Sequence, residues 1–408
     1  MGGEPIVVVG ASLAGFRAAE ELRTRGHQGS ITIVGDEPHR PYDRPPLSKQ
    51  VLAGSRAPDS TALLPAEGSI DDLQLEWRLG TTATGLDLAS GEVLLGGGDR
   101  LAYDGLVVAS GATPRRLPGT DHLAGVHTLR TLDDALAVHK AIEAGPRRVV
   151  VVGAGFIGAE VAATCRGLGL EVSLVEALSV PLERALGPAV GAVMADVHRA
   201  QGVDVRLGVG VVRIEGQDHV EQVRLTDGTL LDADLVVVGI GVVPNTGWLE
   251  ASGLTLDNGV VCDETCLAAP RVVACGDVAR WPNPRFGELM RVEHWDNAVS
   301  MGAHAARTLL ADLAGHRGEA YAPVPWFWSD QYDRKIQLAG RSAADDVLEL
   351  VAGSYEERRF VVMYGRNGKL VGVLGMNMPA KVMRWRALVE TGAPFDEAVA
   401  SARAASTA

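Results

Sequence analysis

The sequence predicts an α/β protein with two parallel-sheet domains, one interrupting the other, and a smaller C-terminal α+β domain. Three observations predict it. An apolar run, a glycine turn and a helix-compatible segment occur in that order twice, at Gly10 and again at Gly153. Each copy continues into a second apolar run that closes on an acid, Asp36 or Glu176. Near Ala320 the pattern changes to short alternating segments. Continuous apolar runs of strand length suit strands buried on both faces of a parallel sheet, and a βαβ unit needs roughly 30 residues.

Taken in order, Pro5-Ile6-Val7-Val8-Val9 runs into Gly10-Ala11-Ser12-Leu13-Ala14-Gly15. A helical segment follows from Phe16 to Arg25, then a strand from Ser30 to Val34. Leu106-Val107-Val108 is a buried strand ending in the small-residue turn Ala109-Ser110-Gly111. Arg148 to Val152 then runs into Gly153-Ala154-Gly155-Phe156-Ile157-Gly158, followed by a helix over Ala159–Leu168 and a strand over Glu171–Val175. Leu235 to Val238 repeats the later strand, with the turn Gly239-Ile240-Gly241, and a short strand over Arg271–Cys275 leads into Gly276-Asp277. In the last part, Gln337–Ala339, Arg359–Tyr364 and Leu370–Leu374 read as antiparallel strands and Lys381–Glu390 as a helix, with Ser401–Ala408 a frayed tail. The expected boundaries are 1–112 with 243–320, then 113–242, then 321–408.

Composition narrows the function. The chain has 408 residues and a net charge of −13, which argues against a nucleic-acid partner. No apolar run reaches the roughly 18 residues of a membrane span, and residues 1–16 carry a glycine motif instead of a signal peptide, so a soluble cytoplasmic protein is expected. Cys165, Cys262, Cys266 and Cys275 form no C-x-x-C pair and no metal-ligand spacing. They read as reduced thiols, and the Cys262–Cys266 spacing as incidental.

A G-x-G-x-x-G turn between strand and helix binds a pyrophosphate. Its first glycine makes the tight turn, its second admits the phosphate, its third lets helix and strand pack, and the helix N-terminus faces the anion. An acid about 20 residues on takes the ribose hydroxyls. Gly153, Gly155, Gly158 and Glu176 match fully; at the first site Gly10 and Gly15 match and Ser12 replaces the middle glycine. A carboxylate at Glu176 repels a 2′-phosphate, and Arg184, the one nearby cation, reads as a solvated helix charge, so NADH is preferred over NADPH. Two such sites in one chain suggest a resident flavin that takes hydride from a visiting nicotinamide.

These residues resemble the FAD-dependent pyridine-nucleotide reductases of glutathione-reductase-like fold, with two Rossmann-like domains. The nearest branch is the putidaredoxin-reductase-like ferredoxin reductases of bacterial oxygenase systems. The resemblance spans essentially the whole chain. It is carried by Pro41-Tyr42-Asp43-Arg44-Pro45-Pro46-Leu47-Ser48-Lys49, Ala274-Cys275-Gly276-Asp277-Val278-Ala279, Val292-Glu293-His294-Trp295 and Pro325-Trp326-Phe327-Trp328-Ser329-Asp330-Gln331. It implies FAD contacts from Gly10, Ser12, Leu13, Ala14, Gly15, Asp36, Arg44, Lys49, Ala83, Ala109, Ser110, Gly111, Arg130, Gly276, Asp277, Glu293, His294, Trp295 and Trp328. It implies NADH contacts from Gly153, Gly155, Phe156, Ile157, Gly158, Glu160, Glu176, Gly239, Ile240 and Gly241. Lys49, Glu160 and Trp328 are the implied catalytic residues: Lys49 as a cation beside the flavin, Glu160 as its pair near the nicotinamide, and Trp328 as an aromatic against the ring. Glu160 is also read as a first-turn carboxylate favoured by the helix dipole.

The glutathione-reductase branch carries a C-x4-C disulphide where this chain has Pro45–Lys49, and no cysteine lies between Met1 and Thr164. Electrons then leave the flavin directly, and the resemblance implies an acidic two-iron two-sulfur ferredoxin as acceptor, feeding a monooxygenase or dioxygenase. Arg334, Lys335, Lys381, Arg384 and Arg386 are candidates for its docking face. The rival readings are an NADH oxidase or nitrite-reductase-type flavoenzyme, and a redox-switch flavoprotein of the same fold.

Overall fold

The computed structural model describes residues 4–407. It has two compact units: residues 1–43, 61–113 and 243–325 in the first, and 44–60, 114–242 and 326–408 in the second.

In the first unit the apolar runs become a six-stranded sheet in the order Leu267–Ala269, Val272–Ala274, Gly105–Val108, Ile6–Val9, Ile31–Val34, Glu76–Arg78. All neighbours are parallel except the first pair. Every residue of Ile6–Val9, Ile31–Val34 and Gly105–Val108 is buried, which is why these strands show no alternation. Helix Leu13–Thr24 follows the first strand. The long helix Trp295–Leu313 packs on it so closely that a Cβ on Gly302 would come within 2.4 Å of the Ala14 carbonyl oxygen.

The second unit repeats the pattern. Asp204–Leu207, Glu171–Glu176, Arg148–Val152, Leu235–Val238 and Val126–Thr128 form a five-stranded parallel sheet in that order. In both sheets the strand before the glycine turn lies between its βαβ partner and a later strand. That arrangement is a topological switch point, where open α/β sheets bind ligands beyond the strands' carboxyl ends.

The same unit carries an antiparallel sheet in the order Trp326–Gln331, Arg334–Gly340, Lys369–Met376, Arg359–Arg366, Val347–Ser354, with helices Pro379–Glu390 and Phe395–Thr407. Two of these strands, Trp326–Gln331 and Val347–Ser354, are not evident in the sequence pattern. The expected frayed tail is a helix instead. Phe395, Ala398, Val399 and Ala402 bury one face of it at i, i+3, i+4 and i+7, and burial of that stripe outweighs the tendency of a terminus to fray. Ala408 lies outside the described residues.

Candidate functional site

The two glycine turns share one geometry. Gly10 has φ +129° and Gly153 φ +96°, a backbone region that favours glycine. A Cβ on Gly10 would stand 2.0 Å from the Ala109 carbonyl oxygen, and one on Gly153 would stand 2.4 Å from that of Gly239. The third glycines repeat the likeness: a Cβ on Gly15 would fall 1.9 Å from the Gly10 carbonyl oxygen, and one on Gly158 would fall 1.9 Å from that of Gly153. The middle position differs. A Cβ on Gly155 meets nothing within 4 Å, and Ser12 occupies the equivalent place. Ser12 and Gly155 are the N-caps of the two helices, neither gives a side-chain cap, and neither helix has an acid in its first turn. With no side-chain cap and no acid in the first turn, both helix starts have the arrangement that receives an anion.

Both helices begin at the fourth position of the motif, at Leu13 and Phe156, earlier than the expected Phe16 and Ala159. Glu160 therefore stands in the second turn rather than the first, and side chains, not the helix dipole, hold its carboxylate. Lys49 Nζ lies 2.6 Å from Glu160 Oε2, Ser48 Oγ donates to the same oxygen at 2.5 Å, and Ser329 Oγ donates to Oε1 at 2.7 Å. Glu160 is only 4% exposed. A buried charge is tolerable when paired and hydrogen-bonded in this way. Thr164, one helical turn on from Glu160, donates to the Ser48 carbonyl at 2.8 Å and holds the loop against the helix.

Glu176 closes its strand as expected. Its carboxylate accepts the Ala154 N–H at 2.7 Å and the Leu178 N–H at 3.0 Å, so it braces the glycine turn it serves. In the first unit, Val9, Gly10, Gly35, Asp36, Thr82, Ala83, Ser110 and Trp248 are among the residues that line a cavity of about 340 Å³. Asn245 shapes one wall: its amide donates to the Ser110 carbonyl at 2.8 Å, Ser110 Oγ donates to the Asn245 carbonyl at 2.9 Å, and Thr113 Oγ1 donates to Asn245 Oδ1 at 2.7 Å.

A model of the pyridine nucleotide-disulphide oxidoreductases matches residues 4–302, and one of the reductase C-terminal domain matches residues 326–407. The chain belongs to the pyridine nucleotide-disulphide oxidoreductase family. It is 40% identical over 394 residues to rhodocoxin reductase of Rhodococcus erythropolis, covering 96% of this chain and 90% of that protein. It is 36% identical over 402 residues to putidaredoxin reductase of Pseudomonas putida, covering 96% and 93%. The putidaredoxin reductase chain solved in covalent complex with putidaredoxin superposes with a TM-score of 0.91 at 33% identity over 100% of both chains.

As a member of this oxidoreductase family the chain works with FAD and a pyridine nucleotide. The first unit fits a dinucleotide. Gly10 of its glycine turn and Asp36 meet at one cavity, and the indole Nε1–H of Trp248, a lining residue, has no hydrogen-bond partner in the protein. The second turn fits one as well, with space over Gly155 and an acid at the strand end.

The family's name-giving thiols are absent from the loop at Pro45–Lys49. All four cysteines are free and buried. Burial pushes the Cys165 and Cys262 thiols up to about 12 and those of Cys266 and Cys275 well above their ordinary value, far from the thiolate a relay needs.

Among the sequence-derived residues, Gly10, Asp36, Ala83 and Ser110 line the first cavity together. Ala109 and Gly111 belong to the adjoining turn, and Leu13, Ala14 and Gly15 to the helix. Gly276 lies against Ala14, its virtual Cβ 2.8 Å from that side chain, which sets the Gly276-Asp277 turn over the helix start. His294 caps helix Trp295–Leu313, and burial holds its imidazole down to about 4. Glu293 pairs with Arg291 at 2.6 Å, and Trp295 Nε1 donates to Asp43 at 2.9 Å. Arg44, Lys49, Arg130 and Trp328 belong to the second unit with the nicotinamide set. There Arg44 donates to the Arg130 carbonyl at 2.6 Å. Trp328 is half-buried on strand Trp326–Gln331, and Phe156 packs edge-on against Phe327 at 4.4 Å. Ile157 and Ile240 are exposed at 46% and 37%. Sequence reasoning missed Asn245, Trp248, Ser48, Ser329 and Gln331. The parallel between the segments Gly111–Pro114 and Gly241–Pro244 was the available signal for Asn245; polar residues in a strand give no comparable one.

Proposed function

We propose that the chain is an NADH:ferredoxin reductase: hydride from NADH passes to FAD, and single electrons then pass to a two-iron two-sulfur ferredoxin feeding an oxygenase. The observation that carries this reading is a duplicated glycine-turn site in a chain whose every thiol is buried. Two such sites call for two nucleotides, and no dithiol relay is available to stand between them and the acceptor.

FAD, when bound, supplies the step from a two-electron donor to a one-electron acceptor. Gly10, Ser12 and the first N–H groups of helix Leu13–Thr24 hold its pyrophosphate, and Asp36 takes ribose hydroxyls. Gly153, Gly155 and Glu176 do the same for NADH, with Phe156, Ile157, Gly239, Ile240 and Gly241 around it. Lys49, held in place by Glu160, would supply a fixed cation able to stabilise negative charge on a reduced flavin. Trp328 would supply an aromatic face that keeps water away. Alignment of donor and acceptor matters more here than an acid or base, because hydride carries no separate proton.

For the acceptor, helix Pro379–Glu390 offers the better docking face. Arg334 and Lys335 pair with Asp333 at 3.3 Å and Asp330 at 2.7 Å, which quenches their field. Arg384 is exposed; Lys381 lies over Trp385 at 5.4 Å, and Arg386 lies over Trp326 at 5.9 Å but pairs with Glu390 at 3.1 Å, so Arg384 is the residue this face rests on.

The test is a visible spectrum followed by stopped-flow mixing. Bound flavin should bleach with NADH at least about tenfold faster than with NADPH, and a two-iron ferredoxin should then reoxidise it. Arg384→Glu should slow the second step at low salt and leave the first unchanged. A flavin that NADH reduces but no two-iron ferredoxin reoxidises ends the reading.

A further inference from the structure

Strand Trp326–Gln331 alternates strictly: Phe327, Ser329 and Gln331 are buried, and Trp326, Trp328 and Asp330 are half exposed. Ser329 and Gln331 are both 0% exposed, so their polar atoms need partners within the protein. Glu160 Oε1 takes the hydrogen of Ser329 Oγ at 2.7 Å. Having given its only hydrogen, Ser329 accepts from Gln331 Nε2 at 3.2 Å. Gln331 Oε1 then faces His198 Nε2 at 3.1 Å, so that nitrogen carries the ring hydrogen. His198 Nδ1 is left bare and accepts from Tyr332 Oη at 2.9 Å. Each link forces the next, and all the donors point toward the carboxylate.

We propose that Ser329, Gln331, His198 and Tyr332 are positioning residues: a one-directional hydrogen-bond chain that fixes the Glu160 carboxylate and, through it, the Lys49 ammonium. Polar groups aligned head to tail in a low-dielectric interior polarise one another, so the chain strengthens its last bond beyond that of an isolated serine. Two features support a built device. His198 is 0% exposed on helix Glu183–Ala200, and burial holds its imidazole down to about 4, in the neutral form the chain requires. Tyr332 has φ +55° in the tight turn between Gln331 and Arg334, a costly conformation for a tyrosine. That conformation brings its ring edge-on to His198 at 5.4 Å. The chain also ties the strand bearing Trp328 to the helix bearing Glu160.

The proposal rests on the reading that Glu160 and Lys49 act at the reacting cofactors, and the test separates the two. In the holoprotein at neutral pH, nitrogen-15 NMR of His198 should show hydrogen on Nε2; hydrogen on Nδ1 overturns the chain. Ser329→Ala should lower the limiting rate of flavin bleaching about tenfold and leave the NADH Kd within about twofold. It should also shift the flavin midpoint potential in the same direction as Glu160→Gln, and Ser329→Thr should restore both. In a Glu160→Gln background, Ser329→Ala should add nothing. If Ser329→Ala lowers only Tm while Glu160→Gln slows reduction, the serine is merely structural and the proposal alone falls. If Glu160→Gln leaves reduction untouched, the reading beneath it falls and takes the proposal with it.

Discussion

Glu176 does two jobs with one carboxylate. It accepts the Ala154 and Leu178 N–H groups, and in the proposed function it also takes ribose hydroxyls. Glu176→Ala should weaken NADH binding by about tenfold and lower stability by about 1 kcal/mol, with flavin still bound. Isothermal titration and the visible spectrum check both parts; loss of flavin instead would mean the two nucleotide sites are reversed. The thiols make a second residue-scale case. With all four buried and their ionisation suppressed, a disulphide reagent at neutral pH should leave the native protein unlabelled and react fully only after unfolding.

At the scale of the element, the motif's glycines are not equivalent. Gly15 and Gly158 have no room for a methyl group, since backbone oxygen lies 1.9 Å from either Cβ position. Gly158→Ala should force the helix off its strand and cost about 2–3 kcal/mol, read as a fall in the denaturant midpoint. Gly155→Ala meets nothing in the protein, so it should fold normally, and if Gly155 leaves room for a phosphate as proposed, the methyl group should weaken NADH binding. Ser12 at the equivalent place shows that a small side chain is accepted at the first turn.

Across the whole molecule, acid sensitivity should follow the buried histidines. Burial lowers His198 and His294 from 6.5 to about 4. A histidine depressed on folding stays neutral in the native state while the unfolded chain takes up its proton. Its stabilisation is complete above pH 6.5 and is lost as pH falls toward about 4, on the order of a few kcal/mol for each group. Thermal unfolding followed between pH 7 and 4 should show this slope, and His198→Gln should flatten its share.

The local physics of this chain was legible in the sequence wherever one stretch of residues sufficed. Strands such as Ile6–Val9 and Arg148–Val152 announce burial on both faces by their composition, and a glycine turn between strand and helix announces an anion site. The acids Asp36 and Glu176 follow at a spacing set by one βαβ turn. Tertiary structure decided what depends on distant segments meeting. Ser48, Glu160, His198 and Ser329 stand far apart in the chain and converge only when strand, helix and loop pack, and a serine in a strand carries no local mark of a buried carboxylate beside it. The C-terminal helix Phe395–Thr407 is likewise held by the surface it covers, because a short terminal helix gains its stability from packing more than from propensity.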